Sequence, residues 1–306
     1  MTVVEQRWAV IGLVINAFIW GVSWWPLREL QTAGFHPLWS TLLVFVPALL
    51  FAGMWYRTAW RGVLFSSGLW ALALAAGATN VGFNWAVTTG DVIRVVLLFY
   101  TMPAWAIPLA WWLLGERPST AALLRLVLAF IGVWLVLWEP GTGWPVPKDF
   151  ADILALGSGF LFALNNVLLR RTHGHTGGER VLAMFFGAVL LNALVAGGGL
   201  ALGLLAFPEP NFIASPNWPL VATGLSASLV VGNLALQFGA SRLRSATTSI
   251  IMLSELLFAS VSSIVLGAAV FQTRIGLGAA FIVTAAVMAS LDRAPATAAK
   301  HQTNAA

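Results

Sequence analysis

Ten stretches of this 306-residue chain are apolar enough and long enough to cross a lipid bilayer. A spanning helix needs roughly 20 mostly apolar residues, and 59% of the chain is hydrophobic whereas only 9% is charged. The loops between the stretches leave no room for a soluble domain, so we predict an all-α membrane protein. The predicted spans are 8–27, 37–56, 67–89, 92–113, 120–138, 151–171, 179–205, 217–238, 245–266 and 275–291.

The ten spans divide into two similar sets of five. Trp20 to Arg28 aligns with Phe162 to Arg170, and Asn84 to Gly90 aligns with Asn233 to Gly239. An odd number of crossings per set inverts the second set relative to the first, and inverted halves around a central cavity favour alternating access. The predicted parts are an N-terminal repeat at 1–138, a periplasmic linker at 139–150, an inverted C-terminal repeat at 151–293 and a disordered cytoplasmic tail at 294–306.

The net charge of +5 is spread over the loops and is not concentrated in one patch. If the N-terminus is cytoplasmic, the inside loops hold 12 of the 16 basic residues, and the outside loops hold Arg28, Arg94, Lys148 and Arg274. This bias follows the positive-inside rule. We therefore predict that both termini are cytoplasmic and that the chain binds no nucleic acid.

Glu255 falls near the middle of the predicted ninth span, with no arginine or lysine within two helical turns. A carboxylate at this depth is costly, so ionisable groups there often mark a solute or proton pathway. Glu255 could bind the ammonium group of a substrate, or it could take up and release a proton. The alternative is a protonated side chain that hydrogen-bonds to a neighbouring helix.

Asparagines within the spans are the next candidates, because an amide offers both donors and acceptors to a solute. Asn84 and Asn233 occupy matching places in the two repeats, where a site near a pseudo-two-fold axis is expected. Asn16 lies one helical turn before Trp20 on the same face of the first helix. For any one of these asparagines, the alternative is a hydrogen bond that simply joins two helices.

Aromatic residues and a proline complete the predicted site. Trp20 and Tyr100 could line an aromatic cavity, or they could pack between helices. Pro103 removes the hydrogen bond to the carbonyl of Phe99, so it could act as a hinge or could merely bend its helix.

The residues needed for metal binding, nucleotide binding or hydrolysis are missing from the expected places in the sequence. The chain has no cysteine, and its four histidines lie in predicted loops or in the tail, so we predict no metal and no cofactor. It has no lysine within a predicted span and no phosphate-binding loop. No Ser-His-Asp set falls at one membrane depth. These features predict a protein that is not an enzyme.

Several short motifs together resemble the EamA-type members of the drug/metabolite transporter superfamily. They are Trp20-Gly-Val-Ser23, the Pro103 stretch that ends in Leu114-Gly115-Glu116, Ser254-Glu255, and Leu266-Gly267-Ala268. The resemblance covers 8–291 and is greatest to YddG-type exporters of aromatic and other apolar amino acids. It implies a basket of helices around a central cavity, with the fifth and tenth helices at the periphery. The chain departs from the family pattern at Leu256, where proline is common, and at Ala268, where glutamate is common.

The residues and the resemblance together predict a bacterial-type inner-membrane exporter of small apolar or aromatic metabolites, with amino acids as the expected substrates. The alternatives are a carrier for another solute, such as a drug or a nucleotide sugar, and a structural membrane subunit. The expected partners are the solute and the bilayer, with protons left open, in a monomer or weak dimer. The predicted site lies between the halves and is lined by Asn16, Trp20, Asn84, Tyr100, Asn233 and Glu255, with Pro103 as the hinge.

Overall fold

The computed structural model describes residues 3–115, 120–138, 146–211, 213, 215–240, 251–252, 254–270 and 272–291. Within those ranges the secondary structure is helical and contains no strand. The helices are α1 Val3–Val22, α2 Trp24–Thr32, α3 Pro37–Trp55, α4 Trp60–Phe65, α5 Ser67–Thr89, α6 Val92–Phe99, α7 Met102–Leu114, α8 Thr120–Leu137, α9 Phe150–Arg171, α10 Gly177–Ala201, α11 Trp218–Ala240, α12 Ser254–Val265 and α13 Thr273–Leu291.

Every predicted span overlaps one of these helices, but length and hydropathy alone identify fewer spans than ten. Six helical segments of the described chain are long and apolar enough to cross a membrane, or seven if a bent pair counts as one span. The described parts of the predicted fifth, ninth and tenth spans are shorter apolar helices. The tail at 294–306 and most of the linker lie outside the described residues. The chain is a multi-pass membrane protein, and the number of ten spans remains a prediction.

Two of the predicted spans are interrupted at hydroxyl residues. The first is divided between α1 and α2 at Ser23, and the fourth is divided between α6 and α7 at Tyr100 and Thr101. The Ser23 hydroxyl donates to the Trp20 carbonyl at 2.8 Å, and the Thr101 hydroxyl donates to the Leu98 carbonyl at 2.7 Å. Such back-bonding satisfies a helix carbonyl locally and bends helices. An apolar run that looks continuous in the sequence therefore contains a break.

A sharp bend precedes α5. The short helical segment Arg57–Phe65 meets Ser67–Thr89 at 98°. Ser66 at the bend caps α5, because its hydroxyl accepts from the backbone N–H of Leu69. The long helix α5 therefore begins cleanly at the bend instead of continuing α4.

The leucine-glycine motif of each predicted repeat ends a helix in the same way. Gly115 terminates α7 and Gly267 follows α12, each with φ of 70°. A residue with a side chain rarely adopts this left-handed conformation, which is the usual C-terminal stop of a helix. The matching sequence positions thus have matching backbone geometry.

Most close helix pairs join the predicted halves. Helix α1 packs on α11 and α12, and α9 packs on α5, α6 and α7. Helix α10 packs on α3 and α5, while α8 and α13 pack mainly on each other. The core therefore consists of interleaved helices from both halves of the sequence.

Arg94 differs from its predicted place in an outside loop. It lies in the first turn of α6 and is only 7% exposed. Its guanidinium binds both carboxylate oxygens of Asp152 on α9, with the shortest N–O distance at 2.7 Å. It also donates to the Val136 carbonyl of α8 at 2.8 Å. A buried arginine is stable here because the carboxylate and a carbonyl replace its water.

Candidate functional site

Tyr100 and Glu255 come together at the break in the fourth predicted span. Tyr100 sits between α6 and α7, and Glu255 lies in the first turn of α12. Their side chains lie close enough for the Tyr100 hydroxyl and the Glu255 carboxyl to interact electrostatically, and this contact joins the two predicted halves. Most of the predicted ninth span before Glu255 lies outside the described residues, so the position of Glu255 within that span remains a prediction.

Gly21 brings α1 directly against the backbone at Glu255. A Cβ atom at Gly21 would lie 2.7 Å from the Glu255 carbonyl oxygen and 2.7 Å from Cβ of Phe258. No side chain fits at such distances, so glycine permits this close crossing. The glycine of the Trp20-Gly-Val-Ser23 motif thus brings the first helix up to the carboxyl-bearing helix.

Trp20 and Asn84 line one small cavity between the halves. Its walls come from α1, α2, α3, α5 and α11, and its volume is about 10 Å³, which is about the room of one water molecule. Asn84 is buried and donates from its amide to the Thr41 hydroxyl at 3.2 Å. The lining residues are Trp20, Ser23, Leu27, Val44, Phe45, Asn84, Leu225 and Leu229.

Asn16 is buried where α1 crosses α11 and α12. Its amide nitrogen contacts the sulfur of Met252 at 3.6 Å. Its side-chain oxygen, Oδ1, has no hydrogen-bond partner within the described part of the chain. Buried amide oxygens are rarely left without a donor. That this oxygen accepts from a bound solute remains a prediction.

Asn233 does not line the cavity of Trp20 and Asn84. It lines a second cavity, of about 40 Å³, together with Trp55 and Tyr56 of the α3 end and Phe185 of α10. Asn84 and Asn233 match in the repeat alignment, yet they face separate cavities. Neither space can hold a solute, so the predicted central cavity is closed in this conformation as far as the described residues show.

The carbonyl of Phe99 lies at the helix break, as expected for a residue four before Pro103. Pro103 is in the first turn of α7, and the Phe99 oxygen faces Gly159 of α9, where a Cβ would lie 2.6 Å away. The break thus packs against a residue without a side chain. The hinge role of Pro103 remains a prediction.

Sequence reasoning missed the hydroxyls that accompany the site. Ser23 and Thr101 mark the two helix breaks, and Ser254 repeats the same back-bond beside Glu255, to the Ile251 carbonyl at 2.7 Å. A serine or threonine three residues after a span-interior carbonyl is a weak signal, because most such residues leave a helix intact.

A serine, a histidine and a glutamate also meet, at the ends of helices. His175 Nε2 lies 3.1 Å from the Ser66 hydroxyl, and its Nδ1 lies 3.5 Å from Glu179. The Ser66 oxygen caps α5, and the Glu179 carboxylate closes the capping box of α10 with Thr176. Because both groups already cap helix ends, we interpret Ser66, His175 and Glu179 as a structural contact. It joins the bend between α4 and α5 to the turn between α9 and α10.

Comparison with known structures supports the architecture. A protein of known crystal structure superposes on this chain with a TM-score of 0.55 at 16% sequence identity. The match covers 92% of this chain and 96% of the other. At this identity the likeness concerns the fold alone.

Sequence comparison points to transporters. The protein RarD from Salmonella typhi and that from Salmonella typhimurium are each 28% identical to this chain over 178 residues. The match covers 55% of this chain, which spans about half the length (56%) of these relatives. Residues 7–138 match the EamA-like transporter family. The chain is thus a multi-pass membrane protein whose N-terminal part is similar to EamA-like transporters.

Proposed function

We propose that this protein exports small apolar or aromatic metabolites, with amino acids as the main class, by alternating access. The observation that carries the proposal is the contact between the Tyr100 and Glu255 side chains at the break of a membrane helix. Interrupted helices that expose polar groups between two repeats are the usual place of a transporter site. The family match of residues 7–138 supports membrane transport as the general function.

The pattern of helix contacts supports an inverted repeat. In the predicted repeat, α1 with α2 corresponds to α9, and α5 corresponds to α11. Exchanging these helices converts the α1–α11 pair into the α9–α5 pair, and both pairs are among the closely packed ones. The family match also ends at residue 138, where the predicted first repeat ends. A structure with this symmetry can open to either side at similar cost.

The lining of the small cavity favours an apolar solute. Six of its eight side chains are aliphatic or aromatic, and the polar ones are Ser23 and Asn84. A primary ammonium group would find an acceptor in the Glu255 carboxyl and another in the unpaired Asn16 oxygen. The apolar wall beside Trp20 would receive the side chain of the solute. The helices must separate before a solute enters, since the space is water-sized.

A second candidate substrate is an apolar organic amine. The described lining of the small cavity contains no cationic side chain that would pair with a carboxylate. An amine without a carboxylate would therefore satisfy the site as well as an amino acid does. A nucleotide sugar fits less well, because its phosphates would need arginine or lysine.

The proposed setting is the inner membrane of a bacterium with both termini in the cytoplasm. The distribution of basic residues supports this orientation. Protons are the proposed coupling ion, because Glu255 carries an ionisable group at the site. The proposal does not need a second subunit.

Reconstitution into liposomes tests the proposal. Vesicles loaded with radiolabelled phenylalanine, tryptophan or leucine should lose label faster with the protein than without it. Unlabelled apolar amines competing with this efflux would favour the second candidate. Efflux of all three amino acids equal to that of protein-free vesicles, under imposed pH gradients of either sign, would refute amino-acid transport.

A further inference from the structure

We propose that Arg28 is a latch that closes the outer end of the translocation path, an inference that rests on the proposed transport function. A terminal nitrogen of Arg28 donates a hydrogen bond to the carbonyl of Gly90. Arg28 belongs to α2, and Gly90 caps the C-terminus of α5. The bond thus joins the end of the first span to the end of the third. By the predicted orientation, both ends face the outside.

The latch continues into a helix of the other predicted half. The Arg28 guanidinium lies 5.3 Å from the centroid of the Trp24 ring, a cation–π contact. The indole N–H of Trp24 donates to the Ser262 hydroxyl on α12 at 2.9 Å. The connection therefore runs from α12 through α2 to α5. Separating α2 from α5 breaks it at the Arg28–Gly90 bond.

Two negatively polarised groups, a backbone carbonyl and a carboxylate, stabilise the closed position of Arg28. The carbonyl of Gly90 lies at the C-terminus of α5, where the helix dipole is negative. The carboxylate of Asp91 also attracts the guanidinium, and Asp91 caps α6 by accepting from the N–H of Arg94. The arginine thus faces the junction of two helices from the same repeat.

Another group of the Arg28 side chain destabilises the closed state. The Nε atom of Arg28 is buried and has no acceptor among the described residues. A buried donor without a partner destabilises the state that buries it, and water can satisfy that donor once the helices part. The closed state is therefore stabilised by the Arg28–Gly90 hydrogen bond and destabilised by the buried Nε of the same residue. Such a balance is what a reversible gate requires.

The position of the latch relates it to the candidate site. Ser23 and Leu27, which line the small cavity, lie on the segment that leads to Arg28. Leu27 is adjacent to Arg28 in sequence, and Leu225 of the facing helix α11 lines the same cavity. Releasing Arg28 would therefore admit water and reagents from the outside to Leu225.

Thiol accessibility tests the latch without measuring transport. The chain contains no cysteine, so Leu225→Cys provides a single thiol. A membrane-impermeant maleimide is added to spheroplasts that express this variant alone or together with Arg28→Gln. Loss of one charge-assisted hydrogen bond should raise the labelling rate by about tenfold. Asp91→Asn keeps the cap acceptor but removes the charge, and should raise the rate by about twofold to fivefold.

Arg274→Gln is the matched control. Arg274 also donates to a carbonyl at a helix end, that of Trp138, but it joins the peripheral helices α8 and α13. Its substitution should leave the labelling of Leu225→Cys unchanged. Equal labelling in the Arg28, Arg28→Gln and Asp91→Asn backgrounds would overturn the latch, and so would an equal increase with Arg274→Gln. If the labelling rates change as expected but amino-acid efflux is absent, the gating role of Arg28 is supported and amino acids are excluded as the substrate.

Discussion

Arg94 and Asp152 form a buried bidentate ion pair that joins α6 to α9, with each carboxylate oxygen within 3.0 Å of a guanidinium nitrogen. The backbone N–H of Lys148 also donates to Asp152 at 2.8 Å. We expect Asp152→Asn to destabilise the protein by about 3–5 kcal/mol, because it leaves a buried guanidinium without its counter-charge. Thermal unfolding in detergent would measure the loss.

Two further variants separate the pair from general effects of mutation at this position. Removing both partners in Arg94→Leu with Asp152→Leu should cost less than the sum of the two single changes, since no charge is left unpaired. Arg57→Gln, at an exposed arginine, should change stability by no more than about 0.5 kcal/mol. Additive losses in the double variant would contradict a coupled ion pair.

Gly21 should tolerate no larger side chain. We expect Gly21→Ala to cost about 1–3 kcal/mol, because its methyl group would overlap the Glu255 carbonyl and push α1 away from α12. Gly157→Ala in α9 meets no atom within 4 Å and should stabilise the helix by up to about 1 kcal/mol. Melting temperatures of the two variants should therefore shift in opposite directions. A stabilised Gly21→Ala would show that the helices are not in close contact there.

Tyr100 and Glu255 should act as a unit in transport. Either Tyr100→Phe or Glu255→Gln should slow efflux by about tenfold or more, because each removes one partner of a polar contact to an ionisable group. The double variant should be little worse than the more damaged single variant, because both remove the same contact. Tyr56→Phe is the control, since Tyr56 is the other tyrosine of the chain and lines the second cavity. Independent, multiplicative losses would argue that the two side chains act separately.

His36 should make stability depend on pH. Its Nδ1 accepts from the Leu38 N–H at the start of α3, and burial lowers the pKa of the ring below its usual value. Protonation is then less favourable in the folded protein than in the unfolded chain. The contribution of His36 is therefore present above the unfolded-state pKa of about 6.5 and is lost as the pH falls below it.

The variant His36→Asn tests this dependence. Asparagine keeps a cap acceptor but does not titrate, so the fall in melting temperature between pH 7 and pH 5 should be smaller than in the parent. His36→Ala lacks the cap and should be less stable by about 1 kcal/mol at pH 7. Identical pH profiles for the parent and His36→Asn would exclude the ring as the titrating group.

The helices were largely predictable because their end signals are local. The predicted span 67–89 coincides with α5, which Ser66 caps at one end and Gly90 follows at the other. The breaks at Ser23 and at Tyr100 were not predicted, because hydropathy stays high across them. Only the hydroxyl back-bonds distinguish these positions, and a single sequence gives no reason to prefer them over the many serines and threonines that leave a helix unbroken.

The site was predictable in part, for reasons that differ between residues. Tyr100 and Glu255 were both selected as polar groups within apolar spans, and the structure places their side chains next to each other. Repeat alignment predicted that Asn84 and Asn233 lie near one axis, whereas the structure places them on separate cavities, and Asn84 donates to Thr41. Arg94 was counted among the residues of the outside loops, and nothing local in the sequence reveals that Asp152 is its partner.

The 98° bend between Arg57–Phe65 and α5 limits how this protein can move. If α5 crosses the membrane, the short segment lies along the membrane surface, with Phe65 84% exposed and Leu64 48% exposed towards the lipid. Sliding α5 along the membrane normal would drag these apolar groups into water or drive Arg57 and Arg61 into hydrocarbon. The segment therefore fixes the depth of α5 in the membrane. This favours a tilting motion of α5 over its displacement along the membrane normal.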